Sequence, residues 1–249
     1  MKQGSFLISF FFSSFIFTAC KLAYQPQTVE YVDYQIRGTR QLDSSIVQLV
    51  APYADSVNKS MNQVVAHVAI SLDKKQPEGT LNNVVADAML QMAKKRFSSQ
   101  VDAAFVNFGG VRLTQIPAGP LTKGKIFELS PFDNAIVLLT IPGNALQDFL
   151  DLIAARGGWP VAGIRMNIRN KKATNIVING NSLDTSKMYT IATIDYVANG
   201  GDNANMLISL QRRDVGYLFR DALIDYFSTL NKEGKSITAV LENRTTIAE

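Results

Sequence analysis

Val106-Asn107-Phe108-Gly109-Gly110-Val111-Arg112 follows a largely apolar run, 101–106, that reads as a buried strand. It leads into a loop punctuated by Ile116-Pro117-Ala118-Gly119-Pro120. Two adjacent glycines after a strand let the backbone take positive φ or lie close against a ligand. Asn107 offers two donors and an acceptor to an amide or hydroxyl edge. Arg112 offers a rigid fork of donors suited to carboxylate, phosphate or ribose oxygens. A tight turn with a capping Asn and a solvated Arg accounts for the same residues, because Gly-Gly is a common turn signal. A second loop of the same kind, at 195–202, favours a binding site.

The chain has 249 residues, of which 47% are apolar and 18% charged. That is the composition of a globular protein with ample core, in one large domain or two small ones. The net charge of +4 is modest, and the one basic cluster is Lys94-Lys95-Arg96, which gives little support to nucleic-acid binding. The single histidine is His67 and the single cysteine is Cys20. These counts exclude a histidine-rich metal centre, a cysteine zinc site and an intrachain disulfide.

Near the N-terminus, Lys2 precedes an apolar, phenylalanine-rich run over 6–18, the length of a signal h-region and short for a bilayer span. It closes on Phe17-Thr18-Ala19-Cys20, which resembles a bacterial lipoprotein box. The expected organisation is a leader over 1–19, a tether and extended arm over 20–42 with a partly alternating stretch at 28–37, and a domain over 43–249. Cys20 is the expected lipidation site, and the expected location is the bacterial cell envelope, on the periplasmic side or the cell surface.

Asp43 can cap a helix that carries Ile46, Val47, Val50, Tyr53, Val57 and Met61 on one face, with Pro52 expected to kink or split it. The β-branched run 64–72 predicts a strand, with His67 packed in or near the core. Thr80 is the expected N-cap of a helix whose apolar stripe is Leu81, Val84, Val85, Ala88, Met89 and Met92, with Lys94, Lys95 and Arg96 at its C-terminal end. Asp87, among those apolar neighbours, is expected to hydrogen-bond a nearby loop. Further on, the pattern predicts a short helix over 123–129, a strand over 135–141 and a helix from Asn144 that stops at Gly157-Gly158. Strands at 163–168, 173–178 and 188–194 follow, with a turn at Asn179-Gly180. A helix over 215–230 and a strand over 237–241 complete the expectation.

The strand 188–194 runs into Asp195-Tyr196-Val197-Ala198-Asn199-Gly200-Gly201-Asp202, again a Gly-Gly pair after a strand, with an aromatic before it and a carboxylate after it. Helices and strands alternate without a regular βαβ period or an internal repeat. The expected fold class is therefore α+β, mixed β-sheets with packed helices.

Four segments stand in order: Leu81-Asn82-Asn83-Val84-Val85-Ala86-Asp87-Ala88, Asn107-Phe108-Gly109-Gly110-Val111-Arg112, Leu129-Ser130-Pro131-Phe132-Asp133-Asn134 and 195–202. Together they resemble the C-terminal, substrate-recognition domain of the 5'-nucleotidase/UDP-sugar hydrolase family, over roughly 43–245. The resemblance implies that Phe132 and Tyr196 sandwich a nucleobase and that Asp202 accepts ribose hydroxyls. It implies that Asn107 meets the base edge or ribose and that Arg112 meets ribose, carboxylate or phosphate oxygens. Gly109, Gly110, Asn199 and Gly201 complete the two substrate-binding loops. Where the family carries an arginine, Lys74 or Lys75 falls, with Lys75 the expected contact. Phe108 stands where a small residue is usual.

In the family this domain follows a metallophosphoesterase domain that holds two metals with histidines and aspartates, and this chain has one histidine. No nucleophile–base pair stands out either. The expectation is a recognition domain for a nucleotide or nucleoside with no catalytic residue, metal or cofactor of its own. It would work in nucleotide catabolism beside a separate metallophosphoesterase chain that carries the divalent metals. A stand-alone nucleoside- or nucleotide-binding envelope lipoprotein, without hydrolytic activity, is the other reading. If Cys20 is acylated after processing, Cys20→Ser moves the protein from the membrane to the soluble fraction, whereas unchanged fractionation would exclude the anchor. Stable attachment needs more than one acyl chain.

Overall fold

The computed structural model describes residues 43–248. The chain divides into two units, 1–46 and 47–249. The leader, Cys20 and the arm over 28–37 lie outside the described residues.

The elements follow in order as α1 (Ser44–Met61), β1 (Val64–Val68), β2 (Leu72–Asp73), α2 (Thr80–Phe97) and β3 (Ala103–Phe105). Next come β4 (Gln115–Ile116), β5 (Gly119–Thr122), α3 (Lys123–Leu129), β6 (Ala135–Pro142) and α4 (Gly143–Ala155). After these are β7 (Val161–Ala162), β8 (Ile164–Arg169), β9 (Lys172–Ile178), β10 (Asn181–Ser182), β11 (Met188–Ile194) and the one-turn α5 (Asp195–Ala198). The chain closes with β12 (Arg212–Leu218), α6 (Phe219–Lys232) and β13 (Thr245–Ile247). The fold is α+β, as expected, with mixed sheets and packed helices.

A five-stranded sheet in the order β12-β6-β11-β3-β7 forms the centre. Only β11 and β3 run parallel in it; the other pairs are antiparallel. A four-stranded sheet, β10-β9-β8-β13, continues from β7 through Gly163. Gly163 has φ 78°, and a Cβ there would collide with the Asp102 carbonyl, so only glycine lets the chain turn from one sheet to the other this close to β3. The β6 run Ile136, Val137, Leu138, Leu139 is buried residue after residue, because strands flank it on both edges and helices cover the sheet.

Helix α2 is buried nearly all round, including Asn82 and Asn83, which lie outside the expected stripe. Loops take up the donors of both amides: Asn82 Nδ2 donates to the Lys75 carbonyl, and Asn83 Nδ2 to Glu78 Oε1 and the Val240 carbonyl, while Asn82 Oδ1 is buried with no partner among the described residues. Asp87 does meet a neighbouring loop, accepting from Arg244 Nη1 and Nη2 at 2.7 and 2.8 Å.

Several local expectations give way to tertiary contacts. The N-cap of α2 is Gly79, since a Cβ there would stand 2.5 Å from the Asp73 carbonyl oxygen and the Lys75 nitrogen. Thr80 instead accepts from the Asp73 N–H at 2.9 Å. Pro52 does not split α1, whose residues are all exposed or half-buried. The carbonyl of Gln48 that the proline leaves unpaired is on a turn open to water. The run 64–72 breaks into β1 and β2. A bulge between Val64 and Ala66 turns Val65 and Ala66 both inward and leaves His67 exposed rather than in the core.

The expected helix over 215–230 begins only at Phe219. Residues Arg212–Leu218 form β12 on the free edge of β6, and Gly216, at φ 63°, stops a helix from starting earlier. In the expected strand 237–241 only Ile237 pairs, bridging Val68. The last strand is β13, parallel to β8.

Arg244, immediately before β13, is 9% exposed and binds Asp87 with both terminal nitrogens, Glu242 through Nε and the Val161 carbonyl. Asp87→Ala removes two of that guanidinium's hydrogen bonds, leaving Glu242 and the Val161 carbonyl, and is expected to lower unfolding free energy by about 2 kcal/mol, read from urea denaturation. A change below ~0.5 kcal/mol, the range of an ordinary surface substitution, would exclude this pair as a stability determinant.

Candidate functional site

The register of the central sheet brings three distant loops to one end. Ile191 and Ala192 of β11 stand opposite Ala103 and Ala104 of the parallel β3, so both strands deliver their C-terminal loops to the same edge. Strand β6 runs the other way, with Ile136 opposite Ile194, and its preceding loop, 130–134, arrives there too. Phe105 pairs with Val161 of β7, so the segment after α4 meets the same edge. Side chains hold the register at both ends. Asp102 exchanges hydrogen bonds with Thr190, backbone to backbone and carboxylate to N–H, each at 2.8 Å. The buried Thr193 hydroxyl donates to the Phe105 carbonyl at 2.9 Å.

A cavity of about 320 Å³ opens at this edge, lined by Asn107, Gly109, Gly110, Arg112, Phe132, Asn134, Tyr196 and Asp202. Phe132 and Tyr196, each 46% exposed, present their rings on the wall of this cavity. Arg112 lies over the Phe132 ring at 5.8 Å and donates to the Gly109 carbonyl at 3.3 Å, which joins the first loop to the second.

The glycines make room for neighbouring side chains. Phe108–Gly110 forms a single 3₁₀ turn, and neither Gly109 nor Gly110 has positive φ. A Cβ on Gly110 would collide with Asn107 Oδ1, so its bare Cα is what lets the amide fold inward. On Gly201 a Cβ would stand 2.5 Å from both Tyr196 Cε1 and the Tyr196 carbonyl oxygen, so the tyrosine ring lies against that glycine. Gly200 has φ 91° and Asp202 φ 54°. The left-handed conformation is tolerated by aspartate better than by most residues and aims its carboxylate back toward the first loop.

That carboxylate is the ordered anion of the cavity. Asn107 Nδ2 donates to Asp202 Oδ2 at 2.7 Å, while Oδ1 has the Arg156 guanidinium 4.0 Å away. One oxygen is held and the other keeps acceptor capacity for a hydroxyl pair. Behind the first loop, Lys74 Nζ donates to the Val111 carbonyl at 2.6 Å and sits over the Phe108 ring at 4.0 Å. Partial burial and the nearby charge of Arg112 hold the Lys74 pKa below its ordinary value. Among the described residues, no three His, Cys, Asp or Glu side chains gather to hold a metal ion.

Residues 56–209 match the model of the family described as 5'-nucleotidase, C-terminal domain, more than half of the chain. The chain belongs to that family. It is 27% identical over 170 residues to a 5'-nucleotidase of Vibrio cholerae, covering 64% of this chain and 30% of that one. It is 26% identical over 205 residues to the trifunctional nucleotide phosphoesterase protein YfkN of Bacillus subtilis, covering 74% of this chain and 14% of that one. Among solved structures, the 5'-nucleotidase precursor of Thermus thermophilus superposes with a TM-score of 0.71 at 26% identity, covering 83% of this chain and 44% of that one. The chain thus spans less than half the length of these relatives.

Of the residues expected at the site, Asn107, Gly109, Gly110, Arg112, Phe132, Tyr196 and Asp202 converge on the cavity of this domain. Gly201 supports it from behind Tyr196. Asn199 turns away, its side-chain oxygen accepting from Arg212 at 2.6 Å. Lys75 does not line the cavity either; its side chain is 71% exposed, with Asp73 3.9 Å away. It is Lys74 that turns toward the loop, because the β2–β4 pair and the Lys74 N–H bond to Thr114 fix alternate side chains on opposite faces. Asn107 is 5% exposed and faces Asp202 rather than open space.

Sequence reasoning missed two residues. Asn134 ends the quoted 129–134 segment, so its signal was at hand. Arg156 precedes a third Gly-Gly pair, Gly157-Gly158, whose positive φ angles and bonds from Gln76 to the Arg156 and Gly158 carbonyls fold the helix end back to the site. Gly201→Ala displaces the Tyr196 ring and is expected to weaken ligand binding about tenfold, ~1.4 kcal/mol, in titration calorimetry. An unchanged affinity would show that the ring's seat on Gly201 does not matter.

Proposed function

We propose that this domain recognises a nucleoside or nucleotide, stacking the base between Phe132 and Tyr196 and holding the ribose hydroxyls on Asp202. What carries the reading is one cavity of about 320 Å³ that joins two half-exposed rings from distant loops to an oriented carboxylate. That volume falls in the range of small-molecule sites, which run from ~300 to 1,000 Å³. Every base offers a π-face, so ring stacking is tolerant of base identity. Asp202 Oδ1, which has Arg156 4.0 Å away, accepts from ribose, Asn107 keeps the carboxylate turned toward it, and Arg112 reaches ribose or phosphate oxygens. Asn134, beside Phe132, supplies an amide for the base edge.

Hydrolysis, in this proposal, is supplied by a separate metallophosphoesterase chain that carries the divalent metals, in a pathway of nucleotide catabolism. The support is the single histidine of the sequence and the lack of a metal-holding cluster among the described residues. The domain contributes substrate binding and orientation, which is where much of the barrier to phosphoryl transfer is overcome. Attachment to the cell envelope through Cys20 belongs to the same proposal and rests on Phe17-Thr18-Ala19-Cys20.

Calorimetry with adenosine and AMP tests the binding half. Phe132→Ala and Tyr196→Ala should each weaken binding by ~1–3 kcal/mol, and Tyr196→Phe should cost little because the ring face does the stacking. No binding at millimolar ligand, or alanine variants that bind like the parent, would overturn it. For the hydrolytic half, AMP turnover by this chain with added divalent metal should stay at background. It should rise only when a metallophosphoesterase chain is added.

A further inference from the structure

Phe132 stands half-exposed on a five-residue loop that contains no regular structure, so something must keep the ring from folding down onto the core. The restraint comes from α6, far along the chain. Arg220, the second residue of that helix, is nearly buried, and its guanidinium lies beneath the loop. Nη1 donates to the Pro131 carbonyl at 3.1 Å and the Phe132 carbonyl at 3.5 Å, and Nη2 donates to Asp133 Oδ1. The Phe127 ring packs on the guanidinium face at 4.3 Å. The neighbouring Phe219 N–H donates to the Asn134 carbonyl at 2.9 Å, so α6 grips both ends of the segment that lines the cavity.

Helix stability does not explain an arginine at this position. A cation in the first turn opposes the helix dipole, and burying it removes its hydration. Its Nε is buried without a partner, while the terminal nitrogens serve the loop carbonyls and Asp133. The planar fork matters here: one rigid group can reach two successive carbonyls and a carboxylate at once, which a lysine cannot do. Asp133 itself is 77% exposed, so its pairing with Arg220 fixes the loop without adding core packing.

We propose that Arg220 is a positioning residue for base recognition, holding the 130–134 loop so that the Phe132 ring is presented to the cavity before ligand arrives. This rests on the nucleoside-binding reading above. A ring already in place loses less conformational freedom on binding, so the benefit appears as affinity. The effect passes through Phe132 and therefore vanishes when that ring is absent.

A double-mutant cycle tests this, with adenosine affinity as one readout and NMR backbone order parameters of the ligand-free protein as the other. Arg220→Lys should weaken adenosine binding about tenfold in the parent and less than about twofold in Phe132→Ala, a coupling that a general loss of stability would not produce. The order parameters of Phe132, Asp133 and Asn134 should fall in Arg220→Lys, while those of β6 keep their values. Equal losses of affinity in both backgrounds, or unchanged order parameters in the loop, would overturn the proposal. If Arg220→Lys does not fold, Asp133→Ala removes the exposed partner and enters the same cycle, with smaller shifts of the same sign expected. If the parent binds no adenosine, the nucleoside reading fails by itself, and the loop order parameters alone decide whether Arg220 positions Phe132.

Discussion

The site depends on the register of β11 between a parallel neighbour and an antiparallel one. Because β3 and β11 run the same way, their two glycine loops emerge side by side. Because β6 runs against them, the loop before it emerges at the same end. A slip of one residue would turn Thr193 out of the core and move Tyr196 away from Asn107. Asp102 pins one end of the pairing and Thr193 the other, so a slip would break a side-chain hydrogen bond at each end.

Electrostatics then orders what the sheet assembles. Asp202 is an anion in a part-buried setting, made tolerable by one short hydrogen bond from Asn107 and a guanidinium held slightly off. Each of the loops around the cavity has a cation fastened to it from outside. Lys74 holds the first loop at Val111, Arg220 the second at Pro131 and Phe132, and Arg212 the third at Asn199. Lys74 and Arg220 pair backbone carbonyls that the loops leave open, and Arg212 takes the Asn199 side-chain oxygen, each keeping its loop in one conformation.

The elements legible in the sequence were those whose pattern is local. The stripe of α2, the short helix at 123–129, the turn at Asn179-Gly180 and the strand β11 all follow from periodicity or turn chemistry and all appear in the fold. The elements misread are those chosen by partners distant in sequence. Residues 215–218 carry a helix-like apolar spacing, yet they fall in β12, which pairs with the edge of β6 at 212–214 and again at Leu218 across a bulge. At 237–241 the apolar residues suggest a strand, but Asn83 takes the Val240 carbonyl and leaves only Ile237 for pairing. His67 looked like a core residue because its neighbours are apolar, and a single bulge reverses the side on which it points.

The same division holds for the site. By itself the sequence determined which residue types are present: two aromatics, an aspartate, an asparagine and an arginine, each beside glycines or a proline that shape a loop, and one histidine in all. Residue chemistry is carried by each position alone, so it can be read without coordinates. Only the tertiary structure decided that Lys74 rather than Lys75 backs the first loop, that Asn199 faces Arg212, and that Arg156 stands beside Asp202. Those outcomes depend on strand alternation, on the turn at Gly157-Gly158 and on contacts between segments more than ten residues apart. No local pattern encodes them, because each is settled by the side chain that happens to face it across the fold.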